Sequence, residues 1–151
     1  MTKTPTRRRS RPDAPTVYRL DEQVGFILRQ VSQRHSTIFA ARVGTSLTAM
    51  QWAALAKLAE TGPCSQNQLG RLTAMDVATI KGVIDRLTAR GLTETARDPD
   101  DGRRLSVRLT RAGQQAVDKL TPAALAASDE TLAPLSARER ATFTTLLTKL
   151  R

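Results

Sequence analysis

One cysteine, Cys64, and one histidine, His35, are all that the 151 residues offer of either type. No disulfide can close within the chain, and a structural zinc site lacks ligands. Aromatic residues are equally scarce at 3%: Tyr18, Phe26, Phe39, Trp52 and Phe143. A sheet that stacks bases on several exposed rings is poorly served by so few. Nowhere does an apolar run reach the roughly 18 residues that a membrane span needs. The arginines at 7, 8 and 9 are followed by polar and charged residues rather than an apolar segment, so they do not read as an export signal, and a cytoplasmic location is expected. There is no Gly-rich phosphate loop, no G-x-S-x-G elbow and no pair of histidines for a metal. A Cys64–His35 dyad would require folding to bring the two together. The expectation is a protein without catalytic function, cofactor or metal.

Positive charge, by contrast, is plentiful. Lys and Arg number 24 against 14 Asp and Glu, for a net charge of +10 and a pI near 11.2. That balance favours a polyanionic partner without specifying one. The length suits one domain, which should bury roughly 70% of its extended surface. With 40% hydrophobic residues a core is within reach.

Residues 1–16 hold five Lys/Arg, one Asp and three Pro with little that is apolar, and read as a disordered basic arm. No internal repeat is visible. From Leu20 the spacing turns helical: Leu20, Val24, Ile27 and Val31 recur at steps of three and four, and the stripe continues to Ile38 and Phe39. Gly44 and Ser46 close this helix. Thr48 as N-cap, with Gln51 three residues on, opens a second, and Leu47 is placed to staple onto Trp52. Gly62-Pro63 stops it near Glu60. Ser65 with Gln68 forms a further capping box before a short helix ending about Leu72. Asp76 then caps the clearest helix, with Met75 placed to staple onto Ile80. Ile80, Val83, Ile84 and Leu87 form its apolar stripe, and Gly91 its stop. The opposite face carries Ala78, Thr79, Lys81, Gly82 and Asp85, small residues suited to close approach.

After Gly91 the period changes to two. Residues 92–97 and the alternation of Leu105, Val107 and Leu109 predict a β-hairpin, with Asp98-Pro99-Asp100-Asp101-Gly102 at its tip and Arg103-Arg104 at its mouth. Thr110 caps a helix with an Ala-rich face (Ala116, Val117, Leu120, Ala124), which Pro122 should kink or break near Thr121. Ser136 with Glu139 opens a last helix, striped by Phe143, Leu146, Leu147 and Leu150. The order specifies a mainly α (α+β) winged helix-turn-helix, whose second helix fits a major groove and whose hairpin reaches along the duplex. Arg103 suits a narrow, electronegative minor groove.

The run SQNQL at 65–69, DVATIKGVIDRLTARGL at 76–92, DPDDGRR at 98–104 and LSVRLTRAG at 105–113 resembles the MarR family of bacterial transcription regulators, and the likeness extends over 20–151. Within the family, DEQVGFILRQVSQRH and AMDVATIKGVIDRLTARGL are similar to the repressors of nicotinate degradation. The resemblance implies a homodimer joined through long terminal helices (17–46 and 111–151), with a DNA-binding lobe at 47–110. It implies repression at a pseudo-palindromic double-stranded DNA operator, and release by a small aromatic acid, a hydroxynicotinate such as 6-hydroxynicotinate being the candidate of that branch. Ala78, Thr79, Lys81 and Gly82 match the family's base-facing positions. Ser65, Gln66 and Asn67 match its phosphate-contacting helix, and Arg103 its wing tip. Arg86 and Asp101 match the base and acid that stabilise the wing. At Lys81-Gly82 many relatives carry Thr-Arg, so their base preference does not transfer.

His35 shares a helical stripe with Leu28, Val31, Phe39 and Arg42. An imidazole, a ring and a guanidinium on one face suit a flat aromatic acid, with Arg42 or His35 on its carboxylate and Trp52 and Tyr18 as walls. Each residue has a plainer reading. Lys81 and the hairpin arginines also read as solubilising charge, His35 as a histidine hydrogen-bonded inside a dimer core, and Trp52 as the partner of its staple. Cys64, just before a helix N-terminus, invites a lowered pKa and redox chemistry, but has no second cysteine to resolve it. The alternative function is a sequence-nonspecific architectural nucleic-acid-binding protein.

Overall fold

The computed structural model describes residues 17–44, 46–97, 101–102 and 105–151. The arm at 1–16, the tip residues 98–100 and Arg103-Arg104 lie outside the described residues. A 3-10 turn at Leu20–Glu22 precedes α1 (Val24–Val43), α2 (Ala49–Thr61), α3 (Gln66–Leu72) and α4 (Val77–Ala89). Then come β1 (Thr93–Arg97), β2 (Leu105–Leu109), α5 (Arg111–Thr131) and α6 (Ala137–Lys149). The first helix therefore begins four residues later than its apolar pattern, because Leu20 belongs to the 3-10 turn and Gln23 is extended. Among the described residues no helix is long and apolar enough to cross a membrane.

Helix starts follow the caps. Thr48 with Gln51 and Ser136 with Glu139 each make both hydrogen bonds of the capping box. Ser65 makes only half of one: its hydroxyl accepts from the Gln68 N–H, while Gln68, exposed at the surface, does not complete the box. Asp76 and Thr110 cap α4 and α5 through the N–H groups of Thr79 and Gly113. Pro122 does not break α5, which continues for 21 residues. The carbonyl four residues back belongs to exposed Asp118, so it can turn to water when the proline withholds its N–H.

Two apolar clusters meet at the middle of the molecule. Leu55, Leu58, Leu69, Ile80, Val83, Ile84, Leu87, Val107 and Val117 belong to the larger, which joins α2, α3, α4, β2 and the start of α5. Phe39, Val43 and Ala127 form the smaller, between α1 and α5. Trp52 and Leu120 pack against both and bind the lobe to the long helices. Leu47 is buried beside Trp52, as the staple requires. The hairpin is antiparallel, with Thr93 opposite Leu109 and Arg97 opposite Leu105. Cys64 bridges to Val107 from the other side, tying the wing to the entrance of α3.

Two glycines are set by close approach. A Cβ on Gly70 would stand 3.1 Å from the Met75 carbonyl oxygen and from Ile80 Cγ2, so its absence lets α3 lie against the start of α4. One on Gly113 would stand 2.0 Å from the Leu92 carbonyl oxygen, where α5 passes behind the hairpin. At Gly25 nothing lies within 4 Å. Thermal or denaturant unfolding should show Gly113→Ala destabilised by about 2–3 kcal/mol, since backbone must move. Gly25→Ala should stay within about 1 kcal/mol of the parent.

Candidate nucleic-acid interface and effector cavity

The α3–α4 pair is a helix-turn-helix. Its turn is held by the Met75 N–H donating to the Gly70 carbonyl at 2.9 Å, with Ala74 in the left-handed region at φ 53°. Because Ile80, Val83, Ile84 and Leu87 are committed to the core, the rotation of α4 is fixed and its other face must point outward. Ala78, Lys81, Asp85 and Arg86 are exposed there, with Thr79 and Gly82 half-buried. Thr79, Ala78, Gly82 and Arg86 line one side of a groove of about 660 Å³. Thr48, Ala49 and Met50, at the N-terminal end of α2, line the other. Those three were not legible as site residues. The capping box fixed where α2 starts, but only tertiary packing brings that start beside α4.

Lys81 Nζ donates to Asp85 Oδ2 at 2.6 Å, one turn along the same face, and both side chains are mostly exposed. An exposed pair of this kind is worth about 0–1 kcal/mol, so Lys81 can exchange the carboxylate for a polyanion at little cost. Ser65 caps α3, and Gln66 and Asn67 form its first turn, with Asn67 exposed. Asp101 is exposed at the wing. Arg103 is outside the described residues.

Asp76 holds α4 in place through the Thr79 N–H at 2.7 Å. Hydrogen bonds from the Thr79 backbone, then from its side chain, depress the carboxyl's pKa. A lowered folded-state pKa gives stability that is complete above the ordinary aspartate range and is lost as pH falls through the depressed value. Glu139 is depressed in the same direction by the Ser136 backbone and hydroxyl. In melting curves taken across acid pH, Asp76→Asn should keep the cap and lose part of the acid-dependent fall in Tm, whereas Asp76→Ala should melt lower than the parent at neutral pH.

The sequence-derived effector residues are spread over three environments. Phe39 is 6% exposed and sealed in the smaller cluster, while Trp52 is half-buried at the junction. Tyr18 is 72% exposed on the extended segment before the 3-10 turn. Arg42 is drawn to α5, donating from Nε to Glu130 Oε2 at 2.7 Å. His35, half-buried and tilted against the Phe39 ring at 6.2 Å, meets Thr131 Oγ1 through Nδ1 at 2.8 Å. It also lines a cavity of about 320 Å³ between α1, the end of α5 and α6, together with Phe143, Leu147 and Arg151. Phe143 and Arg151 had been legible only as part of, or beyond, a helical stripe. Their approach to His35 spans more than a hundred residues of sequence.

Cys64 is buried, and burial raises its thiol pKa rather than lowering it. Its side chain belongs to the larger apolar cluster, so the activated thiol suggested by the adjacent helix start is not realised. His35 is held at α5, in a different part of the molecule.

The sequence profile of the MarR family matches residues 45–104, from just before α2 to just before β2. Over 142 residues the chain is 39% identical to the HTH-type transcriptional repressor NicR of Pseudomonas putida, covering 93% of this chain and 90% of that protein. The crystal structure of a probable transcriptional regulator from Pseudomonas aeruginosa superposes with a TM-score of 0.85 at 56% identity, over 88% of this chain and 100% of that one. Bordetella bronchiseptica BpsR, whose DNA binding is regulated by 6-hydroxynicotinic acid, superposes equally well, with a TM-score of 0.85 at 38% identity over 89% and 96% of the two chains. With the helix-turn-helix, the wing and the long flanking helices all in place, this chain belongs to the MarR family of winged helix-turn-helix transcription regulators, in the branch related to nicotinate repressors.

Proposed function

We propose that the protein is a homodimeric repressor that binds a pseudo-palindromic operator through α4 and leaves it when a small aromatic carboxylate binds. The observation that carries this reading is the outward face of α4, small and polar around Lys81 while the opposite face is locked into the core. In this reading Ala78, Thr79, Lys81 and Gly82 face the bases. Ser65, Gln66 and Asn67 meet phosphates, Arg86 supports the wing, and Arg103 enters the minor groove. Two chains associate through Val24, Ile27, Leu28 and Val31 of α1, Leu146 and Leu147 of α6 and Leu150 just after it, large apolar side chains left exposed in the single chain. Two-fold symmetry then sets the two α4 helices on half-sites about 34–36 Å apart.

Release needs an effector that prefers a dimer whose α4 spacing no longer matches the operator. A preference of about 100-fold supplies roughly 2.7 kcal/mol of coupling. The effector belongs to the class regulating BpsR, a hydroxynicotinate, and His35 takes part in holding it.

Competition binding at near-physiological salt tests the DNA arm of the proposal. Unrelated duplex should displace operator about a thousandfold less well than operator itself; equal competition would leave only a nonspecific architectural role. Arg103→Ala should weaken operator binding and lower the salt slope by about one counterion. An unchanged affinity and slope would remove the wing from the interface. For the effector arm, hydroxylated nicotinates should release operator, and His35→Ala should raise the concentration needed for half-release by about tenfold, scaled to the variant's own operator affinity. A normal response from that variant would return His35 to a purely structural role.

A further inference from the structure

The outward face of α4 carries an acid as well as a base. At about 100° of rotation per residue, Ala78, Gly82 and Asp85 stand nearly opposite the buried stripe, and Lys81 lies to one side of them. A carboxylate there repels the phosphates of any duplex that reaches α4, so by charge alone it weakens binding to every sequence alike. Nor is Asp85 placed to stabilise the helix. Asp76 is the N-cap, and Asp85 lies in the C-terminal half, towards the negative end of the dipole. Its bond from Lys81 Nζ, at 2.6 Å to Oδ2, has the base N-terminal to the acid, the weaker order for such a pair on a helix. Gly82 is equally unexplained by the fold. Its φ is not left-handed, and a Cβ there would meet the tip of Arg86 no closer than 3.9 Å, although glycine in mid-helix is weaker than alanine. A bare position beside Asp85 lets a duplex come close enough for so short a side chain to reach a base edge.

We propose that Lys81 and Asp85 act as one unit that reads a single G·C base pair in each half-site, which makes Asp85 a specificity-determining residue. This rests on the operator reading given above, in which α4 enters the major groove. Across that groove a G·C pair shows guanine N7 and O6 as acceptors, then the cytosine 4-amino group as a donor. The Lys81 ammonium has three N–H donors; one goes to Asp85 Oδ2, leaving two for O6 and N7. Asp85 can still accept, through Oδ1, the amino hydrogen that base pairing leaves free. O6 and the amino nitrogen are hydrogen-bonded to each other within the pair, so they stand side by side much as Nζ and Oδ2 do. The other pairs do not match. In A·T the adenine amino group puts a donor where guanine has O6, against the ammonium. T·A sets its methyl group in place of N7, and C·G reverses the order outright.

Selection from a pool of randomised DNA duplexes, with the full chain and its variants, tests it. The parent should require G·C at one position of each half-site, any other pair there binding about tenfold worse or more. Lys81→Ala, Asp85→Ala and the double variant should each lose that requirement at the same position. Their preferences elsewhere should persist, which also shows that the variants are folded. A second arm changes the DNA instead of the protein. Replacing that cytosine by 2-pyrimidinone, the same ring without its 4-amino group, should weaken the parent about tenfold more than it weakens Asp85→Ala. Comparing the two proteins cancels the poorer base pairing of the analogue. Three results would overturn the proposal while leaving α4 as the helix that meets the bases. These are parental preferences throughout in Asp85→Ala, losses at different positions in the two single variants, and equal sensitivity of parent and Asp85→Ala to the missing amino group. A pool that yields no preferred sequence for the parent would overturn the operator reading and this one with it.

Discussion

The burial of one narrow stripe governs the rest of the molecule. Ile80, Val83, Ile84 and Leu87 are each at most 4% exposed. At about 25 cal/mol per Å² of apolar surface, rotating α4 to expose any of them would cost more than an exposed ion pair on its other face can return. The stripe thereby decides what α4 shows to the outside: Ala78, Lys81, Asp85 and Arg86. Gly70 and Asp76 serve the same end, the first by letting α3 close against α4 and the second by fixing where α4 begins. Through Val107 and Cys64 the same core reaches the hairpin, so the wing and the helix-turn-helix are positioned by one set of apolar contacts.

The long helices join this lobe through side chains shared between the two clusters. Trp52 and Leu120 touch both clusters, and Val117 carries the start of α5 into the larger one. On the far side of that link, α1 and α5 are joined by polar contacts at one end. Arg34 donates to the carbonyls of Thr131 and Glu130, Arg42 pairs with Glu130, and His35 meets Thr131. These bonds satisfy the last carbonyls of α5 and place a cationic patch against its negative dipole end. A ligand that takes up His35 and the wall of α6 would therefore act on the end of α5, whose other half carries Leu120.

Features encoded over three or four residues were legible in the sequence. The caps at Thr48, Asp76, Thr110 and Ser136 are local chemistry, as are the stripe on α4 and the switch to period two after Gly91, and the elements stand where those signals put them. Local rules failed where solvent or tertiary contact overrode them. Pro122 leaves α5 unbroken, and the carbonyl it orphans belongs to exposed Asp118. Gln68 does not close its box because it stays at the surface. Cys64 loses the advantage of a nearby helix start because β2 covers it. The stripe grouping His35, Phe39 and Arg42 was read as one face, but its members divide between core, cavity and an ion pair with Glu130. The neighbours that give His35 its chemical character, Thr131, Phe143 and Arg151, come from α5, α6 and the residues after α6, and no short-range pattern could have named them.

The outward face of α4, paired with its copy across a two-fold axis, is the claim on which regulation depends. Tethered cleavage reads it directly: an iron chelate attached at Ala78→Cys, where the side chain is exposed while Cys64 is buried, cuts whatever DNA lies against that face. Two clusters of cuts, related by symmetry and centred about one helical turn apart in successive major grooves, are the result expected. A single cluster, or cuts scattered evenly along the duplex, would contradict it.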